Sequence, residues 1–305
     1  MRTLFRSALA AAVLALAGCG GGAAPTPDES PAAGLTDYLP AEPFVVAVVD
    51  VDEARSELGL EADADATAIE RFAEDLEPGD PEYELVQGTA AGLPPIAYFA
   101  QAFENDPVIA ALDGTAISAA ASNQDDPDGP VAVVRTSQGF DELAETLSED
   151  GYERDGDALV NSEARVTEVA DAGDGVIVLS GKGASAVDLA AEPPGGPAEL
   201  DAVLEPSGGA VRQAAVGLDD GCQTAFGGSE RADGDSGVLR MSLDRPADAD
   251  RVDLKPLRNA GIDPGEPAVD SKTVEIPFEA DGGAPPGTIN RVTASFAFAD
   301  LYDCG

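Results

Sequence analysis

The hydrophobic pattern of this chain consists of short apolar runs separated by turns and amphipathic stretches. Residues 44–51 read FVVAVVDV, an apolar run rich in β-branched Val and interrupted only by Asp50 near its end, which predicts a central strand buried on both faces. In residues 140–147, apolar positions recur at helical spacing, and Gly151 follows, so this stretch predicts an amphipathic helix. Strands and helices therefore alternate early in the chain.

The same reasoning assigns the remaining elements. Helices are predicted at residues 67–77, 96–103, 106–112, 185–192 and 200–204. Strands are predicted at residues 115–122, 130–136, 152–160, 165–169, 176–179, 214–218, 238–243, 273–278 and 292–298. Strands dominate the later part, so we expect an α+β fold with a mixed, largely antiparallel sheet and helices packed on it.

Two apolar runs resemble each other. Residues 45–52 read VVAVVDVD, and residues 213–220 read QAAVGLDD. Each run would open one half of the folded part, at residues 37–205 and 206–305, which suggests two related halves. Apolar runs that end in acids also arise by chance, so both explanations stay open.

The N-terminus has the order of a secretory signal. Arg2 and Arg6 give a basic start, an apolar run of about ten residues follows, and Leu-Ala-Gly precedes Cys19. The run is shorter than the roughly 20 residues that span a bilayer. The segment resembles bacterial lipoprotein precursors. That resemblance implies a signal peptide at 1–18, a diacylglycerol on Cys19 and retention at the outer face of the cell membrane, with residues 19–36 as a Gly- and Pro-rich tether.

Composition excludes several classes of function. The chain of 305 residues has 58 acidic and 17 basic residues, for a net charge of -41, so nucleic acid is not an expected partner. It contains no His, which excludes Ser-His-Asp catalysis and His-ligated zinc. Salt adaptation and cation binding are both compatible with such acidity. We expect no catalytic residues, no metal site and no cofactor.

Two cysteines remain once Cys19 is assigned to the lipid. An exported chain with Cys222 and Cys304 predicts one disulfide between them. The bridge would tie the beginning of the second half to the C-terminus, which would otherwise fray.

Four motifs have simpler explanations than a ligand site. Ser180-Gly181-Lys182-Gly183 misses the phosphate-loop spacing and is predicted to be a strand-to-helix turn. The acidic turns at residues 125–129, 155–157 and 233–235 lack the full calcium-loop pattern and are predicted to be solvated loops.

A family resemblance covers roughly residues 39–204. The Leu39-Pro40-Ala41 lead into residues 44–52, the strand at 131–135 with its following helix, and the strand at 175–180 resemble an uncharacterised family of actinobacterial lipoproteins and membrane proteins. The resemblance implies an envelope location and an α+β fold. It carries no established functional residues.

Together these features favour a non-catalytic, lipid-anchored envelope protein that binds or scaffolds another envelope protein or wall component. A carboxylate-dependent hydrolase of wall polysaccharide is one alternative, since glycoside hydrolysis needs two suitably spaced acids. A solute-capture lipoprotein of a transporter is the other.

Overall fold

In this computed structural model, the described residues are 31–41, 45–61, 64, 68, 106–124, 130–196, 198–204, 209–232, 236–259, 261–280, 292 and 297–305. The predicted helices at 67–77 and 96–103 lie outside these ranges apart from residue 68. The signal peptide and Cys19 also lie outside them.

One antiparallel sheet dominates the described part of the chain. Its strands are β1 Val45–Asp50, β2 Ile117–Gln124, β3 Val131–Thr136, β4 Glu153–Asp155, β5 Ala158–Val160, β6 Val166–Gly173, β7 Val176–Gly181, β8 Val211–Asp220, β9 Gln223–Glu230, β10 Ser236–Leu243, β11 Ile262–Pro264, β12 Ala268–Asp270 and β13 Thr273–Ala280. The spatial order is β11-β13-β10-β9-β8-β1-β2-β3-β7-β6-β5-β4, and β12 also pairs with β13. Every pairing between these strands is antiparallel, which confirms the prediction of a largely antiparallel sheet.

The helices of the described ranges are short. They are α1 Val51–Glu57, α2 Pro107–Ala111, α3 Phe140–Ser148, α4 Ala186–Ala191, α5 Ala198–Leu204 and α6 Lys255–Asn259. Four 3-10 helices occur at Leu35–Tyr38, Gly114–Ala116, Ala249–Arg251 and Ala297–Asp300. Within the described ranges, no helix has the length and apolarity needed to cross a bilayer.

Strand β1 is the central strand that its apolar run predicts, since all six of its residues are buried. Successive side chains of a strand point to opposite faces. We call the face bearing Val49 face 1 and the face bearing Val46 and Val48 face 2, because these residues belong to different apolar clusters. Apolar residues on both faces explain the continuous hydrophobic run.

The sheet contains two series of four strands, one on each side of its middle, that are arranged in the same way. β1-β2-β3-β7 and β8-β9-β10-β13 are both four-stranded antiparallel series, and β1 pairs with β8 where the series meet. Val46 lies directly opposite Ala214 in this pairing. The segments predicted at 37–205 and 206–305 therefore share one continuous sheet.

Helices cover comparable positions in the two series. Before the first strand, Leu35 in one series and Leu200 of α5 in the other belong to the face 2 cluster. After the third strand, Leu143 of α3 and Leu257 of α6 pack on face 1, the latter in the cluster around Phe226. Phe226 belongs to face 1 because Ala215 lies opposite both it and Val45.

Residues 31–36 are folded, although the sequence analysis assigned them to the tether. Leu35 and Leu39 are fully buried in the face 2 cluster, and the Arg135 guanidinium donates to the Pro31 and Ala33 carbonyls at 2.7 and 3.2 Å. The folded part therefore includes residues 31–36 as well. Leu35 and Leu39 are one helical turn apart, so apolar burial explains the difference.

The predicted strand at 292–298 is wrong where the structure describes it. Val292 is helical, and Phe298 lies in the 3-10 helix Ala297–Asp300. Strand β13 already pairs with β10 on one side and with β11 and β12 on the other, so it offers no free edge. Both residues are instead buried in the Phe226 cluster.

Candidate functional site

The predicted disulfide is present. Cys222, in the turn between β8 and β9, is bonded to Cys304, 82 residues later, with the Cα atoms 5.5 Å apart. Cys222 is buried, and its backbone N–H also points to the Cys304 sulfur at 2.9 Å. The bridge fastens the C-terminus to the turn that follows the central pair of strands.

The C-terminal residues form a clip over the Phe226 cluster, and we use this name for residues 297–305. The Phe298 ring stacks on Phe226 with ring centroids 5.1 Å apart. Tyr302 bridges to Val252, and Gln223 donates to the Phe298 carbonyl at 3.1 Å. The clip thus closes this core through apolar, hydrogen-bond and covalent contacts.

The turn at Ser180-Gly181-Lys182-Gly183 is the strand-to-helix connection that the sequence predicts. The Ser180 hydroxyl donates to the Ala184 carbonyl at 3.1 Å and accepts from the Ala186 N–H at 3.0 Å. Ser185 provides the N-cap of α4 by accepting from the Asp188 N–H. The hydroxyls of this turn therefore serve local structure.

Of the acidic turns, only residues 155–157 fall within the described ranges. They form the β4–β5 turn, where Gly156 has a positive φ of 63°. The turns at 125–129 and 233–235 lie outside the description. In the part of the chain that the structure describes, no three Cys, Asp or Glu side chains come together to hold a metal ion.

A cluster of charged residues surrounds the start of α1, at the junction of the two series. Asp50, which ends β1, is buried, and its carboxylate caps α1 by accepting from the Glu53 N–H at 3.1 Å. Arg55 is buried as well and donates to the Gly114 carbonyl at 2.9 Å. The cluster fixes α1 and the segment leading into β2 on face 1.

Burial sets the protonation equilibria of this cluster. Desolvation raises the pKa of Asp52, the nearby Asp50 carboxylate raises it further, and Arg55 opposes both. Desolvation also lowers the pKa of Arg55, while Asp52 raises it. Glu53 reaches across to Arg212 of β8 at 3.8 Å. The raised pKa of Asp52 means that folding makes its ionised form less favourable than it is in the unfolded chain.

A second buried carboxylate, Asp106, joins α2 to β6. It caps α2 by accepting from the Val108 N–H at 3.0 Å, as its Asp-Pro sequence predicts. Its other oxygen accepts from the N–H groups of Arg165 and Val166 at 3.1 and 2.9 Å. Tyr152 lies beside it, and burial together with Asp106 raises the pKa of the Tyr152 hydroxyl. The contacts of Asp106 are those of a structural tie.

A pocket of about 430 Å³ lies at the outer end of the second series. Its lining includes Ser236, Val238, Asp263, Pro264, Pro277 and Glu279. Asp263 and Glu279 are exposed and lie directly opposite each other on β11 and β13. The volume falls within the usual range of small-ligand pockets.

The site residues predicted from the sequence are Cys19, Cys222 and Cys304, of which the structure describes and joins the last two. Arg55, Asp106 and the carboxylates of the pocket were not predicted as site residues. The Asp-Pro pair was the available signal for Asp106, and it predicted only a helix cap. Arg55 and the pocket carry no local signal, because burial and pairing across strands create them.

No protein-family model and no curated protein matches the chain. Solved structures of TP0453 resemble it: crystal form I gives a TM-score of 0.46 at 10% identity, covering 88% of this chain and 98% of that one. Crystal form III gives 0.43 at 10% identity, with 87% and 98% covered. Similarity at this level carries no argument about function.

Proposed function

We propose that this chain is a non-catalytic envelope lipoprotein, anchored through a diacylglycerol on Cys19, that binds or scaffolds another cell-surface component. The observation that carries the proposal is the Cys222–Cys304 disulfide. Disulfides persist in oxidising compartments outside the cytosol, so a bridge between these two cysteines supports export. The signal-like N-terminus with its Leu-Ala-Gly-Cys19 ending supplies the proposed anchor.

The distance between anchor and folded part fits this role. Pro31, held by Arg135, comes 12 residues after Cys19. Twelve residues span at most about 42 Å when fully extended. The domain would therefore stay close to the membrane, at a distance suited to contact with other envelope components.

The polar clusters of the described residues support binding or scaffolding over catalysis. Asp50 and Asp106 are both occupied by backbone N–H groups, as helix caps are. The hydrolase alternative is favoured by one observation, the raised pKa of Asp52, since the carboxyl group of a general acid needs a pKa above its ordinary value. Its neighbour Asp50 serves as an N-cap, which leaves that alternative without an evident second acid.

We further propose that the two strand series are related halves. When residues 45–52 are aligned with the similar run at 213–220, Val46 corresponds to Ala214. The same two residues are partners in the β1–β8 pairing. The matching helix positions on faces 1 and 2 support the same idea. The solved structure of one half expressed with its partner half in trans would test it.

The anchor is tested by Cys19→Ser. We expect the variant to lose labelling by a radioactive fatty acid and to remain uncleaved at the signal, whereas Cys304→Ser should still be labelled. A Cys19→Ser variant that is processed and acylated like the wild type would reject the lipoprotein proposal.

A further inference from the structure

The pocket at the outer end of the sheet opens on face 2. Side chains of directly paired residues project to the same face. Val48 is paired with Arg212, Arg212 with Ser229, Ser229 with Val238, and Val238 with Pro277. These side chains therefore all lie on the face of Val48, which is face 2. Val238 and Pro277 are two of the apolar residues of the lining, and Val238 is half-buried.

Two carboxylates, those of Asp263 and Glu279, flank this apolar surface. Glu279 is the cross-strand partner of both Ser236 and Asp263. Like charges directly opposite each other destabilise a sheet. Among the described residues, no Lys or Arg lies within ion-pair distance of either carboxylate. The nearby Arg240 of β10 is bound instead to Glu275, at 3.0 Å.

A buried hydroxyl adjoins the inner wall of the pocket. Ser229 lies directly opposite Val238, is fully buried, and its hydroxyl has no hydrogen-bond partner among the described residues. Buried hydroxyls are normally hydrogen-bonded. The pocket and the strand beside it therefore combine two carboxylates that pair with no described Lys or Arg, an apolar surface, and a buried hydroxyl for which the described residues provide no partner.

The chemical groups of the lining indicate which kind of ligand the pocket can bind. A calcium ion takes six to eight oxygen ligands, more than the carboxylates of Asp263 and Glu279 provide. An apolar floor of Val238 and Pro277 adds nothing to the binding of a bare ion. An ammonium group on an alkyl stem matches both features, because the head pairs with the carboxylates and the stem covers the apolar surface.

We propose that this pocket binds an alkylammonium group, supplied by a free amine or by a lysine side chain. The inference rests on the binding role proposed above and names its ligand class. It does not require the lipid anchor, so failure of the Cys19→Ser experiment would leave it intact.

The test is titration of the full mature chain in nonionic detergent, at 0.15 M NaCl, by calorimetry. Hexylammonium represents the free amine and Nα-acetyl-lysine methylamide the side chain, with hexanol as the neutral counterpart. We expect saturable binding of at least one cationic probe and none of hexanol. The probe that binds more tightly identifies the source of the ammonium group.

The matched variants separate the pocket from the general negative field of the protein. Asp263→Asn with Glu279→Gln should weaken binding at least tenfold. Asp155→Asn with Asp157→Asn removes the same charge from the exposed β4–β5 turn and should leave binding unchanged. Circular dichroism should show both variants folded, because neither removes a buried contact.

Absence of binding by both cationic probes would overturn the proposal. An equal loss of affinity in the two double variants would also overturn it, since the attraction would then come from net charge alone.

Discussion

Removing the Cys222–Cys304 disulfide should strongly destabilise the second strand series. The bridge closes a loop of 82 residues between the β8–β9 turn and the clip. Replacing both residues with Ala keeps the buried position of Cys222 free of a new polar group. The double variant therefore isolates the cross-link from changes in polarity.

The size of the effect follows from the length of the loop. In the chain-entropy description, a cross-link over about 80 residues lowers the entropy of the unfolded chain by an amount equivalent to about 4.5 kcal/mol at 25 °C. The contacts of Phe298 and Tyr302 remain available to hold the clip without the bridge. We expect a loss between about 2 and 4.5 kcal/mol in the free energy of unfolding.

Urea unfolding followed by circular dichroism measures this loss. The double variant should unfold at lower urea than the oxidised wild type, and wild type with reductant should match the variant. Reductant should not affect the variant. If the variant lies within about 1 kcal/mol of the oxidised wild type, the bridge does not constrain the unfolded chain as argued.

Three further changes test the packing and the charges. Gly227→Ala should lower the free energy of unfolding by about 1–3 kcal/mol, because a Cβ there would press against the backbone of β8. In the control Gly196→Ala, the Cβ meets only an ordinary contact at 3.5 Å, so the melting temperature should hardly change. Asp106→Ala should lower the free energy of unfolding by about 2–4 kcal/mol, because the buried N–H groups of Val108 and Val166 lose the carboxylate that accepts from them, and Asp106→Asn should lie between it and wild type. Burial raises the pKa of Asp52, so ionisation of this carboxyl group lowers the free energy of unfolding as the pH rises from its pKa in the unfolded chain through its pKa in the folded protein. Asp52→Asn should therefore be more stable than wild type at pH 7, by less than about 1 kcal/mol. A gain in stability that persists at pH 2 would contradict this sign.

Strong local patterns predicted most of the strands and the longest described helix. The run at 44–51 became β1, and the apolar spacing at 140–147 became α3 Phe140–Ser148. Both signals arise from residues close together in the chain. The cysteine arithmetic also predicted the disulfide, since two candidates leave one pairing.

Strand β9 was not predicted, and its sequence explains why. Gln223–Glu230 contains one large apolar residue, Phe226, and the adjacent glycines Gly227 and Gly228. Glycine is depleted in strands, so propensity argues against this assignment. The neighbouring strands override it, because they approach so closely that a Cβ at either glycine would meet their backbone.

The roles of the charged groups could not be predicted from the sequence, because they depend on which side chains the fold buries or brings together. The hundred residues after the predicted tether, 37–136, contain 22 acidic side chains, and nothing local in the sequence distinguishes Asp52 from the others. Its perturbed pKa depends on Asp50 and Arg55 being enclosed by the fold. The same holds for Asp263 and Glu279, which become neighbours through the β11–β13 pairing.

The central position of β1 has a kinetic consequence. Val45 pairs with Ala215, so one side of the most apolar strand has no partner until β8 has been synthesised, about 170 residues later. Pairings so distant in sequence slow folding, and an open apolar edge is prone to aggregate in the meantime. The nascent chain is therefore most exposed to aggregation in the interval between the synthesis of these two strands.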